Sequence, residues 1–260
     1  MQVLQTRIEP PTGSIAAVKA TLFGLPASHP AFAAELMLRR KGIDYRRVDL
    51  VAVLHRGMLR VLRFPGITVP ALRLEGKRVQ GTREIAVALD ALKPDPPLFP
   101  GDPERKRAVS EAEAWGDEVY QPVPRRLVWS ALRRDRSTMS TYLEGAKLGI
   151  PVRVATGVAA PIIRAAARVN SATDENVRRD LASLPGLLDH VDQLLREGTI
   201  GGAEPNVADY QIATSTALLA TLDDVRPLLE GRPALEHARR VATGFPGRTP
   251  KVFPQDWLQA

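Results

Sequence analysis

No cysteine occurs in this chain. Its absence excludes a disulfide framework, a cysteine-based zinc site, an iron–sulfur cluster, and any thiol nucleophile or redox dithiol supplied by the protein. Thiol chemistry, if the protein performs it, must come from a ligand. Histidine is scarce, at positions 29, 55, 190 and 237 only, and no two of these share the spacing that puts two imidazoles on one helix face. That argues against a zinc enzyme, and no metal is expected. Long apolar runs are missing too: Arg153, Arg164 and Arg168 interrupt the most apolar region, so no membrane span is expected. Near the start, the apolar stretch Ile15 to Val18 is too short for the core of a secretory signal. A cytoplasmic protein is the expectation.

The chain does have 260 residues, 44% of them apolar and 25% charged, enough to build and cover the cores of two domains. Its net charge of +7 is uneven. Residues 1–90 carry 14 basic and 7 acidic side chains, and the remainder carries 22 of each. The excess positive charge is spread singly, with Arg39-Arg40-Lys41 the densest cluster and few aromatics between. Nucleic-acid binding usually needs a concentrated stripe, so this distribution argues against it and suits attraction of a small anion.

Local patterns divide the chain. Ala20 to Gly24 reads as a strand, and a turn-rich segment leads into a helix ending at Lys41 with Gly42 as its C-terminal cap. Tyr45 to Val53 reads as a strand and Arg56 to Leu62 as a weak helix. Thr68 to Leu74, a tight turn at Gly76-Lys77, and Arg78 to Gln80 form an antiparallel hairpin. Thr82 to Leu92 is a helix with Ile85, Ala86, Leu89 and Leu92 on one face. The order is β-α-β-α-β-β-α. Lys93 to Asp102 holds four prolines and a glycine and reads as a linker. Beyond it Asp102-Pro103 opens a helix, Ala108, Ala112, Trp115 and Val119 recur at helical spacing, and Leu187 to Leu195 carries another stripe. Asn206 opens a nearly all-apolar helix to Leu222, fit for the middle of a bundle. The expected units are an extension over 1–18, an α/β domain over 19–92, the linker over 93–102 and an all-helical domain over 103–260.

Four local motifs in this order resemble the cytosolic glutathione S-transferase superfamily over about residues 19–245. They are Leu22-Phe23-Gly24 with Ser28 and Lys41-Gly42-Ile43-Asp44-Tyr45; Thr68-Val69-Pro70-Ala71-Leu72; Thr82-Arg83-Glu84-Ile85-Ala86; and Pro205-Asn206-Val207-Ala208-Asp209. The resemblance implies a thioredoxin-like domain followed by a helical bundle, a homodimer with Phe64 as an interface contact, glutathione as co-substrate, an apolar electrophile as second substrate and a role in detoxification.

Residue by residue, the resemblance places Ser28 where the superfamily keeps its catalytic serine or cysteine, able to donate to the glutathione sulfur. It makes Val69-Pro70 a cis bond whose freed backbone groups pair with the thiol ligand. It puts Gly81 and Thr82 at the helix start that takes the glutamyl carboxylate. Trp115 and Tyr120 would line the electrophile pocket, and Asn206 and Asp209 would form a structural capping box. Departures are visible. Gly81 replaces the usual acid, for which Gln80 or Glu84 are candidate substitutes. Ala33 replaces a common arginine, and His29, read as an exposed first-turn residue, replaces a proline. Alternative readings stay open at several positions: Ser28 and Thr82 as plain helix caps, Pro70 as a trans proline opening a strand, and Trp115 as core. The functional reading is a glutathione S-transferase-like enzyme using glutathione or a similar small thiol. Its competitor is a non-catalytic binding or interaction module on the same fold.

Overall fold

In the computed structural model, residues 18–149 and 151–258 are described. The expected amino-terminal extension, Val18 apart, lies outside them. The first unit contains β1 (Ala20–Gly24), α1 (His29–Arg40), β2 (Tyr45–Asp49), α2 (His55–Val61), β3 (Ala71–Leu74), β4 (Lys77–Gln80) and α3 (Thr82–Leu92). The sheet order is β2-β1-β3-β4. α1 carries the chain back, so β1 and β2 run parallel, with Leu22 opposite Arg47. The other two pairings are antiparallel, with Leu22 opposite Leu72 and Leu72 opposite Val79.

Alternation along the strands sorts side chains to two faces. Leu22, Leu72 and Leu74 join the main core with residues of α1 and α3, while Phe23 and Ala71 pack with Leu50, Leu59 and Phe64 on the other face. Phe64, expected at a subunit interface, packs within its own chain. It is buried edge-on against Phe23, with ring centroids 5.6 Å apart.

Two strands are shorter than their sequence patterns suggest. β2 stops at Asp49 because the chain turns, with Val53 at φ +69°. β3 begins only at Ala71, since Pro70 has no N–H for a ladder and Thr68 to Pro70 stay outside it. α1 ends as expected: Gly42 takes φ +57°, and the Ile43 N–H returns to the Leu38 carbonyl at 3.0 Å.

The proline-rich segment is pinned. Lys41 is fully buried and its Nζ donates to the carbonyls of Lys93, Pro94 and Pro96 at 2.7, 3.2 and 2.6 Å. Lys93 Nζ donates back to the Lys41 carbonyl at 2.6 Å. Asp90 pairs with Lys41 at 2.6 Å and also accepts from the N–H groups of Leu98 and Phe99.

The second unit is helical: α4 (Pro103–Trp115), a π turn (Gly116–Tyr120), α5 (Pro122–Arg134), α6 (Met139–Tyr142), α7 (Val152–Gly157), α8 (Ala159–Val169), α9 (Asp174–Arg196), α10 (Val207–Leu219), α11 (Arg226–Leu229) and α12 (Pro233–Val241). α10 is buried along nearly its whole length and packs on α4, α5, α12 and also α1. It ends at Leu219, one turn before the expected Leu222. One hydrophobic cluster consequently runs through both units. At its start the Asn206 side chain accepts from the Ala208 and Asp209 N–H groups, and the Asp209 carboxylate accepts from the Asn206 N–H at 2.8 Å. The buried Asp209 also meets the Gly201 N–H and His237 Nε2, each at 2.7 Å.

Candidate active site

Ser28 caps α1 with extended backbone (φ −73°, ψ 109°), its Oγ accepting from the Ala31 N–H at a long 3.4 Å. A hydroxyl has one donor as well as acceptor sites, so capping leaves the hydrogen available to a ligand. His29 is a correction to the sequence reading. Its ring is buried rather than exposed, with the pKa pushed down to about 3 by desolvation and then by the Arg125 cation, against a hydrogen bond donated to the Gln121 backbone carbonyl. Its Nε2 has no partner among the described residues.

Facing this helix start, the Val69-Pro70 bond is cis. Val69 lies just outside the β3 ladder, and neither its N–H nor its C=O finds a hydrogen-bond partner among the described residues. The loop is braced by Gln80, whose Oε1 accepts from the Gly66 N–H at 2.6 Å and whose Nε2 donates to the Thr68 carbonyl at 2.5 Å. Both ends of the Gln80 amide are thereby committed to the loop.

Gly81 adopts φ +99° and leaves α3 without a side-chain cap, so the first N–H groups of that helix are open. Thr82 is buried at this start. The carboxylate of Glu84 lies against Gly81, in the space that a Cβ there would occupy. Beside it on α4, Glu113 is buried with an Arg83 nitrogen at 3.2 Å, and burial raises its pKa to about 7 despite that arginine.

Ser28, His29 and Val69 share one cavity of about 230 Å³ with Arg125 and Trp129 of α5 and Ile162 of α8. A larger, more polar cleft of about 720 Å³ opens on the other side of Ser28, toward Phe32, Thr141 and Phe245. Neither Trp115 nor Tyr120 lines either space. Tyr120 is completely buried, its hydroxyl 2.9 Å from Thr216 Oγ1 and its ring stacked on Trp115 at 5.3 Å. For Tyr120 the π turn is the reason. The Gln121 N–H bonds five residues back to Gly116, which shifts the helical phase by one residue. Val119, expected on the core face, is thereby left exposed while Tyr120 turns inward. The cavity wall comes instead from Val128, Trp129 and Leu132, an i, i+1, i+4 set whose apolar face is visible in the sequence but whose destination is not.

Among the described residues there is no cluster of three His, Asp or Glu side chains that could hold a metal ion. No helix among them is long and apolar enough to cross a membrane.

Residues 22–97 match the family described as glutathione S-transferase, N-terminal domain. Among solved structures, the chain is similar to glutathione transferase F2 from Populus trichocarpa, at 16% identity and TM-score 0.59 over 86% of this chain and 93% of that one. It is also similar to a glutathione S-transferase from Rhodospirillum rubrum F11, at 18% identity and TM-score 0.56 over 92% and 98%. A third is a glutathione S-transferase from Methylobacterium radiotolerans in complex with glutathione sulfonate, at 20% identity and TM-score 0.50 over 87% and 91%. The chain has the glutathione S-transferase fold. No curated protein matches. The α1 start, the cis-proline loop and the α3 start lie together at one end of the four-stranded sheet, where β1 and β4 finish and β3 begins, and residues of α5 and α8 close the cavity behind them.

Proposed function

We propose that the protein is a glutathione S-transferase-like enzyme that activates the thiol of glutathione, or of a similar small thiol, for attack on an apolar electrophile. The observation that carries this reading is that Ser28 and the unpaired Val69 backbone open on one largely apolar cavity. The peptide ligand pairs with Val69 in the manner of an added strand. Its glutamyl carboxylate takes the open N–H groups of Thr82 and its neighbours. Glu84 supplies the acid for the ligand's ammonium, because its carboxylate occupies the place where a side chain at position 81 would sit.

Ser28 donates its hydroxyl hydrogen to sulfur and so favours the thiolate. The thiol proton passes to solvent, the sulfur pair forms a bond to the electrophilic carbon, and the leaving group departs with the electrons of the bond that breaks. Rate comes from thiolate formation and positioning. Superfamily resemblance makes a homodimer part of this reading. Calorimetric titration with glutathione beside other small thiols tests it, with saturable binding and conjugating activity expected. A protein that binds no thiol overturns it.

One observation favours the competing reading of a non-catalytic module: the Ser28 Oγ already accepts the α1 N–H. If wild-type protein binds glutathione but conjugates no electrophile in a broad panel, that reading takes over.

A further inference from the structure

Two arginines follow one another on α5 and are treated in opposite ways. Arg126 makes a two-point pair with the buried carboxylate of Asp180, at 2.6 and 2.7 Å. Arg125 lines the cavity behind Ser28 and has no carboxylate within ion-pair distance among the described residues. Its one side-chain partner is neutral, with Nη1 donating to Gln121 Oε1 at 3.2 Å. Its Nε is buried and unpartnered among those residues. Asp117 supports the Arg125 charge only from beyond ion-pair distance, its Oδ1 accepting from Gln121 Nε2 at 2.6 Å and Gln211 Nε2 at 3.2 Å.

The same wall holds His29, and among the described residues it contains Arg56 and His55 but no Asp or Glu. A guanidinium taken out of water without a carboxylate in contact is costly, even with Asp117 acting at longer range, and its fork is shaped for a carboxylate. Burial already lowers the pKa of Arg125, which is the signature of that cost. The remaining lining is largely aliphatic and aromatic, and a space of about 230 Å³ exceeds the ~150 Å³ apolar cavity that admits benzene.

We infer that the second substrate is an apolar acid: a substituted ring or similar body carrying one carboxylate, which pairs with Arg125 while the reacting carbon faces Ser28. This rests on the transferase reading for the word substrate, but the anion site itself does not need a thiol. His29 stands in the same wall as a neutral ring, so Arg125 is the cation that meets the carboxylate. Arg125 is a specificity determinant here, acting on the substrate and not on the sulfur.

The test uses two probes of nearly equal shape, 4-chloro-3-nitrobenzoate and 4-chloro-3-nitrobenzamide, titrated calorimetrically without thiol. A charge-assisted, two-point hydrogen bond predicts that the benzoate binds wild type about tenfold to hundredfold tighter than the amide. In Arg125→Gln that preference should fall to within about twofold, the scale of an uncharged hydrogen bond. Ile162→Trp, which fills the cavity, should weaken both probes. Equal affinities of the two probes for wild type overturn the inference without any variant. So does a preference that survives Arg125→Gln, one that disappears instead in Arg56→Gln, or unchanged benzoate binding by Ile162→Trp. Failure of the transferase reading looks different. In that case glutathione neither binds nor reacts, while the benzoate preference stands.

Discussion

The carboxylate of Glu84 lies against the Cα of Gly81, three residues before it, and fills the position from which a side chain at 81 would project. Restoring an acid at position 81 is therefore expected to fail. Gly81→Glu places a non-glycine residue at φ +99° and a second carboxylate beside the first. A loss of about 1–3 kcal/mol in stability is expected, with weaker thiol binding. Glu84→Gln, by contrast, should fold normally and raise KM for glutathione several-fold. Denaturant titration and steady-state kinetics on the two variants distinguish these outcomes. Tighter glutathione binding by Gly81→Glu would refute the role given to Glu84.

Ser28 and Thr82 should separate kinetically. One hydrogen bond to a developing thiolate is worth about 1.5–3 kcal/mol, so Ser28→Ala should lower kcat roughly tenfold to hundredfold and raise the apparent pKa of bound glutathione. Thr82 sits far from sulfur and holds ground and transition states alike, so Thr82→Ala should raise KM with little change in kcat. If Ser28→Ala keeps full activity and loses only stability, the residue is a helix cap.

Glu113 gives the protein a pH dependence near neutrality. Its folded pKa, raised to about 7 by burial, exceeds the ordinary value of 4.5 in the unfolded chain. Folding is therefore favoured by its proton at low pH, and this contribution disappears as pH rises through about 7. Arg83 and solvent screen the charged form, so the loss between pH 5 and 8 should be about 1–2 kcal/mol and absent in Glu113→Gln. Thermal melts of both proteins across that range check it. A parallel pair of profiles would show that Glu113 ionises without cost.

Tyr120 is a core residue, and Tyr120→Phe should show it. Thr216 Oγ1 donates to the Ile212 carbonyl at 3.1 Å, which makes the tyrosine hydroxyl the donor in their contact. Removing it should cost about 1 kcal/mol of stability and leave KM for the electrophile unchanged. A changed KM with unchanged stability would return Tyr120 to the pocket.

What was legible in the sequence is what local chemistry determines. Ser28 before its helix, Gly42 after it, the hairpin at Gly76 and the Asn206–Asp209 box each announce themselves within a few residues, because capping and turn formation are local. His29 was misread because its burial depends on Gln121 and Arg125, almost a hundred residues later. Tyr120 escapes the sequence reading because of one extra residue in a single helical turn, which no 3.6-residue periodicity reveals, and Trp115 before that turn stacks on its ring. Glu84 could be nominated but not chosen over Gln80, since the choice turns on a backbone angle at Gly81 and on the two bonds that commit Gln80 to the loop.

The paired lysines 41 and 93 change what the proline-rich segment is. Each ammonium holds the other residue's carbonyl, and the buried one gathers two further carbonyls from the segment. Such a joint transmits load instead of absorbing it. The two units should melt in one cooperative transition, and a protease that favours extended linkers should find no early cut between residues 93 and 102. Lys41→Met removes the ammonium and orphans those carbonyls together, so it should turn a rivet into a hinge.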